Sequence, residues 1–262
     1  MRIISSALTD VGRKRDHNED NFYILKEENL FMVADGMGGH SAGEVASKMI
    51  VEHIRDFFIR TSKDREATWP YKMNKDKKYE ENRLTAAIQE GNKKVFNTSQ
   101  NDAKKKGMGT TVTATLFVTE KVGERMVDGV YVGWVGDSRI YRIRKGKLKQ
   151  ISEDHSLLNE MIKKNDMTAE EIANFPHKNV ILRAIGMKPH VEVDVKYEVL
   201  EEGDLYIMCS DGLSGEVPDD DIERIVNKAN SIEEANKNLI QAANNNGGKD
   251  NVTVALIQYF RQ

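Results

Sequence analysis

The chain reads as a layered α+β sandwich, antiparallel β-sheets with α-helices outside. Three observations predict it. Short apolar segments come in runs, then amphipathic segments come as a pair, then strands again, unlike the strict alternation of a parallel βαβ sheet. Several strand segments are apolar at nearly every position, so they need neighbours on both faces, which layered packing supplies. The 262 residues hold neither an internal repeat nor a linker-like stretch, so residues 1–262 are expected to form one domain. A core of that size needs no covalent staples.

In chain order, residues 3–8 form a short apolar strand. Residues 21–25 and 30–34 pair with it in character and are joined by the polar turn Lys26-Glu27-Glu28-Asn29. A glycine-rich loop follows at 35–39. Residues 41–58 carry Val45, Met49, Ile50, His53, Ile54 and Phe57 at helical spacing. The stretch 61–83 is highly charged, contains Pro70 and reads as a surface insertion. Residues 84–106 form a second amphipathic helix with Leu84, Ala87, Ile88, Gly91 and Val95 on one side, stopped by Gly107 and Gly109. Segments 111–118, 129–136 and 139–144, rich in Val, Thr and Tyr, read as strands. Lys145-Gly146 turns the chain into 148–151. Residues 154–175 look like short helices, with Thr168 and Glu171 as a capping box. Strands follow at 191–199 and 205–209, helices at 219–228 and 232–244, and a closing strand at 252–259.

Bulk properties exclude some roles. Cys209 is the single cysteine, so no internal disulfide can form. The net charge of -3, spread over both signs, gives no bias toward nucleic acid or membrane. Residues 1–20 lack the apolar region of a signal peptide, and no apolar run approaches the roughly 20 residues of a membrane span. The expectation is a soluble, cytoplasmic protein, with no nucleic acid and no membrane as partner.

The chemistry is carried by aspartates at strand ends. Asp35 follows the strand 30–34, Asp137 follows 129–136, Asp211 follows 205–209, and Asp250 precedes 252–259. Carboxylates at neighbouring strand ends converge on a sheet rim, where they repel one another unless cations sit between them. An all-oxygen donor set without His or Cys favours Mg²⁺ or Mn²⁺ over Zn²⁺. Asp35-Gly36 and Asp211-Gly212 are also common turn dipeptides, and a plain turn is the competing reading of each. The segment 12–20 sets Arg13, Lys14 and Arg15 beside Asp16, Glu19 and Asp20. An arginine there could bind phosphate oxygens bidentately, and a solvated charged loop is the alternative.

Other chemistries fit less well. Gly39-His40-Ser41-Ala42-Gly43 matches G-x-S-x-G, but a nucleophile elbow needs its strand to run straight into the first glycine, and Asp35 to Gly38 intervene. Ser41 reads instead as a helix N-cap. A cysteine-phosphatase loop built on Cys209 would need Arg where Gly215 stands, and Cys209 reads as an inert buried thiol. No P-loop lysine follows the glycine-rich loop.

Six segments together resemble the bacterial kind of metal-dependent protein serine/threonine phosphatase, type 2C. They are Arg15-Asp16-His17-Asn18-Glu19-Asp20, Val33-Ala34-Asp35-Gly36-Met37-Gly38-Gly39-His40, Gly107-Met108-Gly109-Thr110-Thr111, Val135-Gly136-Asp137-Ser138-Arg139, Cys209-Ser210-Asp211-Gly212-Leu213 and Lys249-Asp250-Asn251-Val252-Thr253. They run in the family's order along nearly the whole chain. The resemblance implies two antiparallel sheets packed face to face, flanked by pairs of helices, with a two-metal centre of Mn²⁺ or Mg²⁺ at one end. It implies that Asp35 bridges both ions, that the Gly36 carbonyl binds one, and that Asp211 and Asp250 bind the other. Asp20, with Glu19, would hold metal-bound water, and Asp137, with Asp211, matches a third metal position. Arg15 matches the phosphate-binding arginine, while Arg13 is off that position. The implied reaction is direct attack on phosphoserine or phosphothreonine by a water or hydroxide bridging two ions. The alternative is a regulatory pseudophosphatase that binds phosphoproteins without turnover.

One departure stands out. Many eukaryotic relatives carry a histidine, proposed as general acid, where this chain has Met37. His40, three residues on, is the candidate substitute, with a structural loop role as its alternative. Residues 154–183 correspond to the family's flap beside the active site. The implied partners are phosphorylated proteins and an opposing serine/threonine kinase, and the expected state is a monomer.

Overall fold

The computed structural model describes residues 1–39, 42–63, 73–164, 167–173, 175–177 and 179–262. Its strands are β1 (Arg2–Asp10), β2 (Asn21–Leu25), β3 (Leu30–Ala34), β4 (Gly36–Met37), β5 (Gly109–Thr110), β6 (Val112–Val122), β7 (Arg125–Val135), β8 (Arg139–Arg144), β9 (Lys147–Gln150), β10 (Asp194–Val199), β11 (Leu205–Cys209) and β12 (Val252–Phe260). Its helices are α1 (Ala42–Lys63), α2 (Tyr79–Asn101), α3 (Leu157–Lys164), α4 (Ala169–Ala173), α5 (Asp211–Ser214), α6 (Asp219–Lys228) and α7 (Ile232–Asn245).

Ten of the strands form two five-stranded sheets, ordered β1-β12-β11-β8-β9 and β10-β7-β6-β3-β2, with every pairing antiparallel. The period of two along each strand sorts its apolar residues between two cores. In β3, Phe31 and Val33 face the other sheet, while Leu30, Met32 and Ala34 face α1 and α2. In β11, Tyr206 and Met208 face inward, while Leu205, Ile207 and Cys209 lie under α5, α6 and α7. This is why both segments are apolar throughout: neither face meets water. The layers are therefore helix, sheet, sheet, helix.

The sheets are joined by a central core in which Phe117 makes edge-to-face contacts with Phe31 at 5.7 Å and with Tyr206 of the opposite sheet at 5.6 Å. Each such pair adds about 0.5–1.5 kcal/mol beyond the area it buries. Trp134, Ile140, Ile257 and Tyr259 complete this layer, all almost fully buried.

Several boundaries differ from those read in the sequence. The charged stretch 61–83 is not all loop: Thr61 to Lys63 finish α1, and Tyr79 to Arg83 open α2, while 64–72 lie outside the described residues. Composition misled because the charge is buried with partners. Arg83 stacks over Phe58 at 4.1 Å, donates to the Phe58 carbonyl at 2.7 Å and pairs with Glu28 at 2.9 Å. At its other end α2 stops at Asn101, because Asp102 Oδ1 accepts the Lys104 N–H and starts a separate 3₁₀ turn. The glycine-rich loop contains β4, which pairs with β5. Strands β6 and β7 extend into a long hairpin whose turn holds Gly123, and β10 begins at Asp194, later than the alternation suggested. The Thr168–Glu171 capping box is present, with both reciprocal bonds made.

Candidate active site

At one end of the sandwich β3, β7 and β11 finish and β2 and β12 begin. Each of these ends carries a carboxylate. Asp35 directly follows β3, and Asp20 directly precedes β2. Asp137 lies two residues past β7, Asp211 two past β11, and Asp250 two before β12. The two sheets are bonded to each other here: Ser210 Oγ, at the end of β11, donates to Asp20 Oδ2 at 2.7 Å and accepts the Thr253 N–H at 3.0 Å.

Asp35 is held by its backbone, which leaves its side chain free to act. Its carbonyl accepts from Thr111 N at 2.8 Å and Thr110 Oγ1 at 2.7 Å, and its N–H donates to Thr111 Oγ1 at 3.0 Å. Gly36 N donates to the Glu19 carbonyl at 3.2 Å. Gly36 also lies against Gly43 in the first turn of α1, and a Cβ on Gly36 would run into the Gly43 carbonyl. Only glycine at both positions lets the helix start rest on this loop. The Glu19 carboxylate accepts the Gly43 N–H there, at the positive end of α1, which opposes the upward push of its burial.

The segment carrying Arg15 is tied down by Asn251. Its Oδ1 accepts the Glu19 N–H at 2.8 Å, and its Nδ2 donates to the carbonyls of Val11 at 2.9 Å and His17 at 2.8 Å. Asn18 Oδ1 in turn accepts the Asp20 N–H at 3.1 Å. Arg15 Nη2 donates to Asp250 Oδ2 at 2.7 Å, with both side chains substantially exposed.

Electrostatically the rim is unbalanced. Burial pushes Asp35 well above the usual carboxylate range, and Asp20, Asp211, Asp137 and Asp250 all push it further, so Asp35 sits among the other four. Burial also raises Asp20 to about 7, opposed by the Ser210 bond and helped by Asp211 and Asp250. Asp137 rises to about 7, from burial first and then Asp211 and Asp154. Asp211 is raised by burial and by Asp250. Asp20 Oδ1 is buried with no hydrogen-bond partner. Such an atom costs roughly 1–3 kcal/mol or more unless something meets it.

These features fit divalent cations. The donors are oxygens only, a cation would relieve each repulsion, and the Asp20 Oδ1 atom is left without a hydrogen-bond partner. Among the described residues, no three His, Cys, Asp or Glu side chains close around one point as a self-sufficient cage.

The sequence-read candidates Asp20, Asp35, Gly36, Asp137, Asp211, Asp250 and Arg15 all come together at this rim. His40 and Ser41 lie outside the described residues. The serine-elbow reading fails on its context, since β4 stands between β3 and α1. Met37 lies in β4 with its thioether against Gly109, so the position after Asp35-Gly36 carries no transferable proton. Cys209 is buried and its thiol is pushed up to about 12, which leaves it an inert core residue. The individual roles of Ser210, Asn251, Thr111 and Gly43 were not read from sequence, since each acts through partners distant along the chain. The one available signal was that all four fall in or beside the six motifs.

Comparison with known proteins follows the same lines. The model of the family described as Protein phosphatase 2C matches residues 12–256. The chain is 35% identical over 257 residues to "Serine/threonine phosphatase stp" of Listeria monocytogenes serotype 4b, covering 95% of this chain and 93% of the relative. It is 34% identical to "Protein phosphatase PhpP" of Streptococcus pneumoniae, covering 96% of each. Among solved structures it is similar to the serine/threonine phosphatase Stp1 of Staphylococcus aureus, with TM-score 0.83 and 33% identity over 100% of this chain and 96% of that one. It is also similar to the catalytic domain of the phosphatase PstP in complex with two manganese ions, with TM-score 0.79 and 31% identity over 99% of each.

Proposed function

The chain belongs to the protein phosphatase 2C family, and we propose that it is a metal-dependent protein serine/threonine phosphatase using two ions of Mn²⁺ or Mg²⁺. The observation that carries this is the acidic rim: five aspartates converge on one end of the sandwich, and the buried Asp20 Oδ1 is left without a partner. The relatives named as phosphatases, and the solved one holding two manganese ions, support the same reading. No carboxylate of the set is missing, which favours turnover over the pseudophosphatase alternative.

In this reading Asp35, the Gly36 carbonyl, Asp211 and Asp250 would hold the two ions. When bound, the ions supply a water of lowered pKa as nucleophile and neutralise charge on the phosphoryl oxygens. Asp20, fixed by Ser210 and Asn18, accepts a hydrogen bond from water at the site, as does Glu19 beside it. Asp137, with Asp211, forms a third position. Arg15 exchanges its bond with Asp250 for the substrate phosphoryl group. An ion pair this exposed is worth about 0–1 kcal/mol, so its release costs little. Met37 donates no proton, so the leaving oxygen takes its proton from water, or from His40.

The same reading extends to organisation. Residues 1–262 act as one catalytic domain, with 154–183 as a flap beside the rim. Phosphorylated proteins are the substrates, a serine/threonine kinase opposes the enzyme, and it works as a cytoplasmic monomer. Among the described residues, no helix is long and apolar enough to cross a membrane. The test is release of phosphate from phosphoserine and phosphothreonine peptides. We expect it to need Mn²⁺ or Mg²⁺ and to be lost in Asp211→Ala. Undiminished release in EDTA sinks the proposal, and saturable peptide binding without release at millimolar Mn²⁺ turns it into the pseudophosphatase.

A further inference from the structure

The Gly136–Asp137 turn is held by bonds from outside it. Gly136 has φ +115°, a conformation open to glycine and loosely restrained. The turn is pressed onto Thr111, where a Cβ on Gly136 would come within 2.6 Å of the side chain. Thr111 Oγ1 is the acceptor for the Asp35 N–H and lies 2.7 Å from Ser138 Oγ, so the turn is one layer away from Asp35. The buried Asp137 carboxylate is pushed by Asp211 on one side and Asp154 on the other.

His155 supplies the restraint. Its N–H donates to the Gly136 carbonyl at 2.9 Å, and its ring Nδ1 accepts the Gly136 N–H at 3.0 Å, so both backbone groups of Gly136 are gripped by one residue. An amide N–H can be received only by an unprotonated ring nitrogen, which puts the ring proton on Nε2. Nε2 donates it to Asp194 Oδ2 at 2.7 Å, at the start of β10. Arg183 Nη1, 3.2 Å from the same carboxylate oxygen, completes that anchor. The ring stacks on Trp134, and Trp134 Nε1 donates to the Glu153 carbonyl at 2.9 Å, so residues 153–155 lie along 134–136. The His155 carbonyl accepts the Leu182 N–H at 2.8 Å, which ties in the far end of the segment 154–183.

We propose that His155 is a positioning residue, whose Nδ1 holds the Gly136–Asp137 turn at the rim and so sets how tightly Asp137 takes a divalent cation. The proposal rests on the metal-dependent reading above. The plain alternative is a core histidine that merely satisfies buried polar groups. Two substitutions separate them. In His155→Asn the side-chain oxygen stands where Nδ1 stood, and the link to Asp194 is lost. In His155→Gln the terminal amide reaches toward Asp194, and Gly136 loses its acceptor.

The experiment is calorimetric titration of the metal-free protein with Mn²⁺, together with the Mn²⁺ dependence of p-nitrophenyl phosphate hydrolysis. Asp137→Asn identifies the binding event that belongs to Asp137. We expect His155→Gln to weaken that event by about 10- to 100-fold, the usual effect of removing an outer partner of a metal ligand. His155→Asn should stay within about threefold of the wild type. Equal losses in the two variants, or an unchanged event in His155→Gln, overturn the proposal. Should His155→Gln not fold, the wild-type protein decides: with ¹⁵N-labelled histidine, the His155 Nδ1 resonance should shift in step with the Asp137 event as Mg²⁺ is added. A resonance indifferent to Mg²⁺ overturns it. Wild-type protein with no metal-dependent hydrolysis at all would instead sink the functional reading beneath it.

Discussion

Strand β11 has an aspartate beside each end, and the two live in opposite circumstances. Asp204, just before the strand, is fully buried. Its carboxylate accepts Arg144 Nε at 2.7 Å, Arg144 Nη2 at 2.6 Å and the Glu201 N–H at 2.8 Å. Asp211, just after the strand, faces Asp35, Asp250 and, through Ser210, Asp20. At the first end the chain buries a negative charge together with its own cation. At the second it gathers carboxylates, and Arg15, which pairs with Asp250, sits on the exposed outer side. Stability explains the first end. The second end makes sense only if a cation arrives from solution, because its cost is carried by the folded chain until then.

The largest test of this contrast is Asp35→Asn. Hydrolysis in Mn²⁺ should fall by on the order of 10³-fold, about 4 kcal/mol of transition-state stabilisation. In EDTA the same variant should melt at or above the wild-type temperature, because it removes an ionisable carboxyl from a crowded acidic cluster. Lower melting in EDTA would mean that the rim stores no repulsion.

Arg144→Met attacks the other end and should behave in reverse. It leaves Asp204 buried without its cation, which typically costs about 3–5 kcal/mol. For a chain of this size that lowers the melting temperature by roughly 6–20 °C. Hydrolysis at a temperature where the variant remains folded should match the wild type, and a fall in kcat/KM without a fall in melting temperature would break the comparison.

Arg15→Ala should lie between these. Losing a charged hydrogen bond to the phosphoryl group should lower kcat/KM by about 10- to 100-fold. Stability should stay within about 0.5 kcal/mol, since the Arg15–Asp250 pair is exposed. A large loss of stability would show that Arg15 holds the rim together instead of serving the substrate.

The smallest expected effect is a pH slope. Asp20 and Asp137 stand near 7 in the metal-free fold and near the ordinary carboxylate value when unfolded. Between about pH 4 and 7 the folded state therefore binds more protons, and stability falls as pH rises through that window. Thermal melting in EDTA should drop as the pH goes from 5 to 7.5. Saturating Mn²⁺, or Asp20→Asn, should flatten the slope. A slope identical with and without Mn²⁺ would separate these carboxylates from the metal.

Much of this was legible in the residues. Continuous apolar runs marked β3 and β11 because both faces of those strands are buried. Helical spacing located the buried face of α2, where Leu84, Ala87, Ile88, Gly91 and Val95 all lie inside. The end of the charged stretch at 79–83 belongs to α2, which its charge concealed because Arg83 and Glu28 come together only in the folded chain. His155 gave no signal, since its meaning depends on the backbone of Gly136, 19 residues away.

What the sequence determined by itself is local: apolar periodicity placed the strands and helices, and short motifs placed aspartates at strand ends. What the tertiary structure decided is which of those charges have company. Asp204 and Asp211 are both aspartates next to the same apolar strand, and although the Asp211-Gly212 motif marked one of them, neither side chain's partners could be read from its neighbours in the chain. Coulomb energy falls with distance in space, so the difference was made when sheet packing brought Arg144 to one and Asp35, Asp20 and Asp250 to the other.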